Sequence, residues 1–165
     1  MKKVFALLAV SALLLTGCGE KEVSASSDNL PTVTTNQGEA PTIGAPAGNP
    51  PTTLVTKDII VGNGAEALPT STMTVHYTLM TWSNGQLIES SWNGGSPATF
   101  PLANVIVGWQ QGIPGMKEGG RRLLIIPPDL GYGSQGGASI GPNETLIFVV
   151  DLILYKALVL CNLVV

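Results

Sequence analysis

An alternation of apolar and polar side chains over residues 72–79 restricts the possible folds of this chain more than any other pattern in it. Apolar residues stand at positions 73, 75, 77 and 79, and Thr or His stands between them. A period of two predicts a β-strand with one buried face and one solvated face. Asn84-Gly85 follows as a strong tight-turn dipeptide, so residues 86–90 are expected to return as the antiparallel partner.

Further strands and one helix are predicted in the C-terminal two thirds of the chain. Three segments rich in β-branched or aliphatic residues predict strands: 54–61, 121–126 and 145–155. Apolar residues at helical spacing between Asn104 and Met116 predict one short helix, and residues 127–143 form a loop rich in Gly and Pro. The expected fold class is therefore α+β, with an antiparallel sheet and one short helix.

The N-terminus resembles the signal sequence of a bacterial lipoprotein. Lys2-Lys3 gives a short positive region, and residues 4–15 form an apolar stretch that is too short to span a membrane. Residues 15–18, Leu-Thr-Gly-Cys, resemble a lipobox. This resemblance implies that residues 1–17 are removed as a signal peptide and that Cys18 carries acyl chains such as palmitate, which anchor the chain to a membrane. The alternative is a plain signal peptide in which Cys18 is incidental.

Residues 18–53 are predicted to be a lipidated N-terminus followed by a disordered linker. From Gly19 onwards Ser, Thr, Asn, Pro, Gly and Ala dominate, and the segment contains no aromatic residue. Such a composition cannot bury enough apolar surface to offset the entropy lost on ordering. An extra strand around Leu30 to Val33 is the alternative. We therefore expect a spacer that tethers a folded domain over residues 54–155.

Charge and composition argue against several classes of site. The formal charge is −3, and the only adjacent basic pairs are Lys2-Lys3 and Arg121-Arg122, so no nucleic-acid partner is expected. No Cys pair at ligand spacing, phosphate loop or nucleophile elbow occurs, and no metal or cofactor is expected. Cys18 and Cys161 are not expected to pair. His76 is the single histidine and should be solvated or hydrogen-bonded.

Seven short blocks occur in an order and at a spacing similar to those of FKBP-type peptidyl-prolyl isomerases. They are Val75-His76-Tyr77-Thr78, Asn84-Gly85, Glu89-Ser90-Ser91, Val105-Ile106-Val107-Gly108-Trp109, the stretch 115–122, the stretch 126–133 and Thr145-Leu146-Ile147-Phe148. The resemblance covers about residues 54 to 154. It implies an antiparallel β half-barrel wrapped around one short α-helix, with a shallow apolar cleft between them. It also implies cis–trans isomerisation of X–Pro bonds, assisting the folding of secreted or envelope proteins.

The resemblance further implies which residues line this cleft. The catalytic positions are Tyr77, Trp109, Tyr132 and Phe148. The substrate-binding positions are Ile88, Glu89, Val105, Ile106 and Ile140. In this arrangement Trp109 lies beneath the proline ring, Tyr132 presents its hydroxyl, and the Ile106 N–H donates to a carbonyl of the bound peptide. Taken singly, each aromatic residue could instead be an ordinary core residue.

Several positions near the cleft depart from the family pattern. Ile88-Glu89 replaces the usual Phe-Asp, Ala98 stands where a Phe is usual, and Gly141 stands in place of a Pro. Glu89 keeps a carboxylate that could hydrogen-bond to Tyr132 or to a ligand. These changes leave open a membrane-tethered, chaperone-like binding module with weak or lost isomerase activity. A structural surface lipoprotein is a third interpretation.

The ends of the chain bear on location and partners. Residues 156–165 form an apolar tail, too short for a membrane helix, whose role is unknown. Three interpretations of the tail are open: an end produced by a shifted reading frame, a segment folded against the domain, or an additional membrane contact. The expected partners are proline-containing polypeptides and, through Cys18, a membrane, and a monomer is expected. Gly19 is not the Asp associated with inner-membrane retention, which favours the outer membrane with the domain outside the cytoplasm.

Overall fold

A computed structural model describes residues 29–156, with side chains up to residue 153. The strands and the α-helix within this range are β1 Val55–Ile60, β2 Thr72–Thr81, β3 Leu87–Ser90, β4 Ala98–Pro101, α1 Val107–Gly112, β5 Arg121–Ile126 and β6 Leu146–Lys156. The predicted signal peptide, Cys18 and residues 157–165 of the tail lie outside the described residues. Within residues 29–156, no helix is long and apolar enough to cross a membrane.

The described strands form one antiparallel sheet with the order β1-β5-β6-β2-β3. β4 pairs with the first half of β2, and β3 pairs with its second half. β2 and β6 form the long centre of the sheet, from the pair Thr72 and Lys156 to the pair Thr81 and Leu146. The predicted α+β fold, an antiparallel half-barrel around one short helix, is confirmed. Strand β4 was not predicted.

Helix α1 packs tightly on one face of this sheet. Trp109 and Ile113 join a buried cluster with inward-facing strand residues. The approach is so close at Gly108 that a Cβ there would lie 2.4 Å from Cγ2 of Ile126. The helix lies within residues 104–116, where one short helix was predicted, and it ends before Gly115, whose φ of 83° a helix does not contain.

The opposite face of the sheet is also buried, and residues 29–53 cover it. We call this segment the strap. Leu30, Val33 and Ile43 of the strap pack against a second apolar cluster: Trp82, Leu123, Ile125, Ile147 and Val149. Val33 and Ile43 pair as an antiparallel bridge, and the Trp82 indole N–H donates to the Gly48 carbonyl at 3.2 Å. The prediction of a disordered linker is wrong for residues 29–53. The few apolar residues of the strap are buried against the apolar face of the sheet, and this contact orders a segment whose own composition could not.

A buried arginine fixes the strap to the sheet. Arg121 is fully buried, and its Nε donates to Asp151 Oδ1 at 2.7 Å. Its two terminal nitrogens donate to the Thr34 carbonyl at 3.0 Å and to the Glu39 carbonyl at 2.7 Å. Burial raises the pKa of the Asp151 carboxyl, and Arg121 offsets that effect only in part. The guanidinium therefore connects the centre of the sheet to the strap backbone.

Candidate active site

The inner face of the half-barrel carries an open cleft of about 390 Å³. Its lining comes from four strands, helix α1 and the loops beside them: Tyr77, Leu79, Glu89, Phe100, Asn104, Val105, Ile106, Trp109, Tyr132 and Phe148. All four predicted catalytic residues lie in this lining. Three of the five predicted substrate-binding residues, Glu89, Val105 and Ile106, lie there with them.

Three aromatic rings hold Trp109 in the floor of the cleft. The ring centroids of Phe148, Tyr77 and Phe100 lie 5.3, 5.8 and 6.3 Å from that of Trp109, at interplanar angles of 85°, 81° and 90°. Such edge-on contacts are a preferred aromatic geometry. The buried indole nitrogen has no hydrogen-bond partner among the described residues, so ring contacts and apolar packing hold the indole in place. The result is an apolar floor.

The start of helix α1 presents backbone donors beside this floor. The Ile106 carbonyl accepts the N–H groups of Trp109 and Gln110, at 3.0 and 3.2 Å. The Gln110 side chain returns to donate to the Val105 carbonyl at 2.7 Å, which fixes the loop before the helix. The Ile106 N–H makes no hydrogen bond within the described part of the chain. It is therefore available to a carbonyl of a bound peptide.

Glu89 accepts a hydrogen bond from Tyr77. The Tyr77 hydroxyl donates to Glu89 Oε1 at 2.5 Å. Burial is the largest cause that raises the pKa of Tyr77, and the hydrogen bond and charge of Glu89 raise it further. The sequence suggested Tyr132 or a ligand as the partner of this carboxylate; in the structure its hydrogen-bond partner is Tyr77. The Tyr77 hydroxyl is thus occupied and stays protonated at neutral pH.

Tyr132 stands at the rim with its side chain partly in solvent. It is 40% exposed, and its hydroxyl makes no hydrogen bond within residues 29–156. The backbone of Gly137 lies against its ring, where a Cβ would come within 3.1 Å of the Tyr132 Cδ1 atom. Unlike the Tyr77 hydroxyl, the Tyr132 hydroxyl can donate to a ligand in the cleft.

The two remaining predicted residues line an adjoining volume of about 240 Å³. Ile88 and Ile140 lie there, and the two volumes share Leu79, Glu89 and Tyr132. Ile88 and Ile140 are therefore placed beside the Trp109 floor and not on it.

Sequence reasoning missed three lining residues: Leu79, Phe100 and Asn104. Ala98 is absent from the lining at the position where an aromatic residue was expected. Phe100 follows two residues later in β4 and supplies an aromatic wall. Its signal was present in the sequence, because residues two apart in a strand point to the same face.

His76 and Ser91 take no part in the lining of the cleft. His76 Nδ1 lies 2.9 Å from Ser91 Oγ, and its ring stacks on Trp92 at 3.8 Å. This agrees with the expected hydrogen-bonded role. Within residues 29–156, no group of three His, Cys, Asp or Glu side chains is arranged to hold a metal ion.

Comparisons with known proteins agree with this geometry. The sequence model of the FKBP-type peptidyl-prolyl cis-trans isomerase family matches residues 64–153. A probable FK506-binding protein of Corynebacterium glutamicum is 49% identical over 115 residues, which cover 70% of this chain and 98% of the relative. An FK506-binding protein of Streptomyces anulatus is 49% identical over 119 residues, covering 70% and 96%.

Solved structures show the same fold. The crystal structure of AtFKBP13 superposes with a TM-score of 0.58 at 37% identity, over 62% of this chain and 93% of that one. The crystal structure of FkpA from Escherichia coli gives a TM-score of 0.60 at 36% identity, over 63% of this chain and 48% of that one. The chain belongs to the FKBP-type peptidyl-prolyl cis-trans isomerases.

Proposed function

We propose that this isomerase turns over X–Pro bonds of secreted or envelope proteins in the Trp109 cleft. Tyr77, Trp109, Tyr132 and Phe148 form the catalytic surface, and Val105 and Ile106 hold the peptide backbone. One observation supports the site above all others: three rings pack at steep angles around Trp109, which lines the floor of an open apolar cleft.

The chemistry requires shape and desolvation instead of a nucleophile. Rotation about an amide bond forfeits resonance against a barrier of about 18–20 kcal/mol, and no bond is made or broken. The twisted amide is less dipolar than the planar one, so an apolar cleft accommodates it with less loss of solvation. Binding the twisted prolyl unit better than the planar one lowers the barrier. The Ile106 N–H and the Tyr132 hydroxyl are free donors that orient the peptide.

Residue changes at the cleft bear on how much activity to expect. Ile88, Glu89 and Ala98 suggested a binding module with reduced turnover. Phe100 restores an aromatic wall beside Trp109, and Glu89 still reaches the Tyr77 hydroxyl. These two contacts support turnover over binding alone.

Exchange NMR on a short X–Pro peptide tests the assignment of the site. We expect the full chain to accelerate exchange well beyond the uncatalysed timescale of tens of seconds. The double variant Trp109→Leu, Tyr132→Phe should lose about tenfold or more of this rate, equivalent to 1.4 kcal/mol or more of barrier lowering. Trp92→Leu is the matched control, because Trp92 is absent from the cleft. Unchanged turnover in a folded double variant would place the site elsewhere.

We also propose that Cys18 is lipidated and that the protein is anchored as a monomer to the outer membrane. The support is the lipobox-like Leu15-Thr16-Gly17-Cys18 and the Gly at position 19. Acyl chains contribute about 0.8 kcal/mol per buried CH₂ group. Cys18→Ser should therefore move the chain from the detergent phase to the aqueous phase in a cloud-point partition. Continued detergent partition of the variant would point to the apolar tail instead.

A further inference from the structure

Glu89 stands between two adjoining volumes, which share it as a lining residue. It lines the volume above Trp109 and also the adjoining volume of about 240 Å³ beside Ile88 and Ile140. A peptide whose proline lies on Trp109 would therefore place a neighbouring side chain within reach of this carboxylate.

Among the described residues that line either volume, Glu89 is also the only one with an acidic or basic side chain. Its Oε1 accepts from Tyr77, and it forms no ion pair within the described residues. Its second oxygen, Oε2, makes no hydrogen bond there either. A solvated carboxylate oxygen at the junction of two apolar volumes can accept a cationic group without breaking an existing contact.

The walls of the adjoining volume suit the stem of a long cationic side chain. Ile88 and Ile140 line it, and the Tyr132 ring and the Leu79 side chain complete its apolar part. Lysine and arginine bury their aliphatic stems along such surface while the charged head stays near water. A neutral apolar side chain of the same length would gain the wall contacts but not the contact with Glu89.

We infer that the cleft prefers clients with a lysine or arginine adjacent to the isomerised proline, and that Glu89 determines this preference. The inference rests on the proposed assignment of the Trp109 cleft as the site of turnover. Because Glu89 is solvent-exposed, the ion pair contributes about 0.2–1 kcal/mol, which corresponds to a preference of roughly 1.4- to 5-fold.

Matched peptides test this preference. Exchange NMR is run with two peptide pairs, in which lysine or norleucine stands directly before or directly after the proline. The full chain is held in nanodiscs of zwitterionic lipid, so that the membrane does not itself concentrate the cationic peptide. We expect a higher kcat/KM for the lysine peptide in at least one pair, and the difference should shrink at high salt.

The ratio of the two rates is the decisive quantity in variants. In Glu89→Gln the lysine-to-norleucine ratio should fall to about one, whatever happens to the absolute rate. Asp129→Asn removes an exposed carboxylate outside both volumes and should keep the ratio. If the norleucine peptides are turned over and the lysine peptides are turned over no faster, this inference is overturned while the proposed site stands. Failure to accelerate the norleucine peptides would overturn the proposed site.

Discussion

Arg121→Met is expected to destabilise the fold by about 3–5 kcal/mol and to release the strap from the sheet. The guanidinium makes three hydrogen bonds, to Asp151 Oδ1 and to the carbonyls of Thr34 and Glu39. Methionine fills most of the volume but donates none of them. The carboxylate of Asp151 is left buried without its cation, and removal of one partner of a buried ion pair is the costly case.

Urea unfolding, followed by tryptophan fluorescence, measures this loss. Trp82 is a useful reporter because it packs beneath the strap and donates to Gly48. Limited proteolysis of the strap provides an independent readout. A stable domain has a free energy of unfolding of about 5–15 kcal/mol, so a loss of the expected size should clearly lower the urea concentration at the unfolding midpoint.

The neighbouring arginine supplies a matched control. Arg122 binds Asp58 at 2.6 Å, but the Asp58 side chain is 40% exposed, so Arg122→Met should cost less than Arg121→Met. The double variant Arg121→Met, Asp151→Leu should recover part of the loss, because replacing both members of a buried pair by apolar residues is often neutral. A loss below about 1 kcal/mol in Arg121→Met, with the strap still protected from protease, would refute this account of how the strap is held.

Three further outcomes are expected. Burial raises the pKa of Asp151 in the folded state, so the folded state binds this proton more tightly than the unfolded state does. The urea midpoint should therefore fall as the pH rises from about 4 through the raised pKa. In Asp151→Asn this pH dependence should disappear. With the other two tyrosines replaced by Phe, the phenolate absorbance of Tyr77 should appear only well above its ordinary pKa of 10.0, and an ordinary titration would contradict its burial beside a carboxylate. Gly108→Ala should cost about 1–3 kcal/mol by urea unfolding because a Cβ collides with Ile126. Gly94→Ala, which meets nothing within 4 Å, should be nearly neutral, and equal losses would exclude the collision as the cause.

The inner face of the fold could be predicted because its sequence signals are local. The alternation over residues 72–79 and the Asn84-Gly85 turn correspond to β2 and to its pairing with β3. The ordered blocks located the cleft, including all four of the rings predicted as catalytic. β4 was missed, and Phe100 was missed with it.

The strap could not be predicted from its own composition, because the surface that orders it belongs to another part of the chain. A signal did exist in β5, where Leu123, Leu124, Ile125 and Ile126 are all fully buried. A continuous apolar run of this kind indicates a strand covered on both faces, in contrast to the alternation in β2. The helix covers one face, so the run requires a second cover.

The strap and the cleft are connected through β6 although they lie on opposite faces of the sheet. Phe148 lines the cleft, while its neighbours Ile147 and Val149 belong to the cluster beneath the strap. Successive side chains of a strand point to opposite faces, and a slip of one residue would exchange the two sets. The apolar contacts on the strap side therefore favour the register that places Phe148 against Trp109. The strap, which packs on the face of the sheet opposite the cleft, in this way helps to define the aromatic wall of the site.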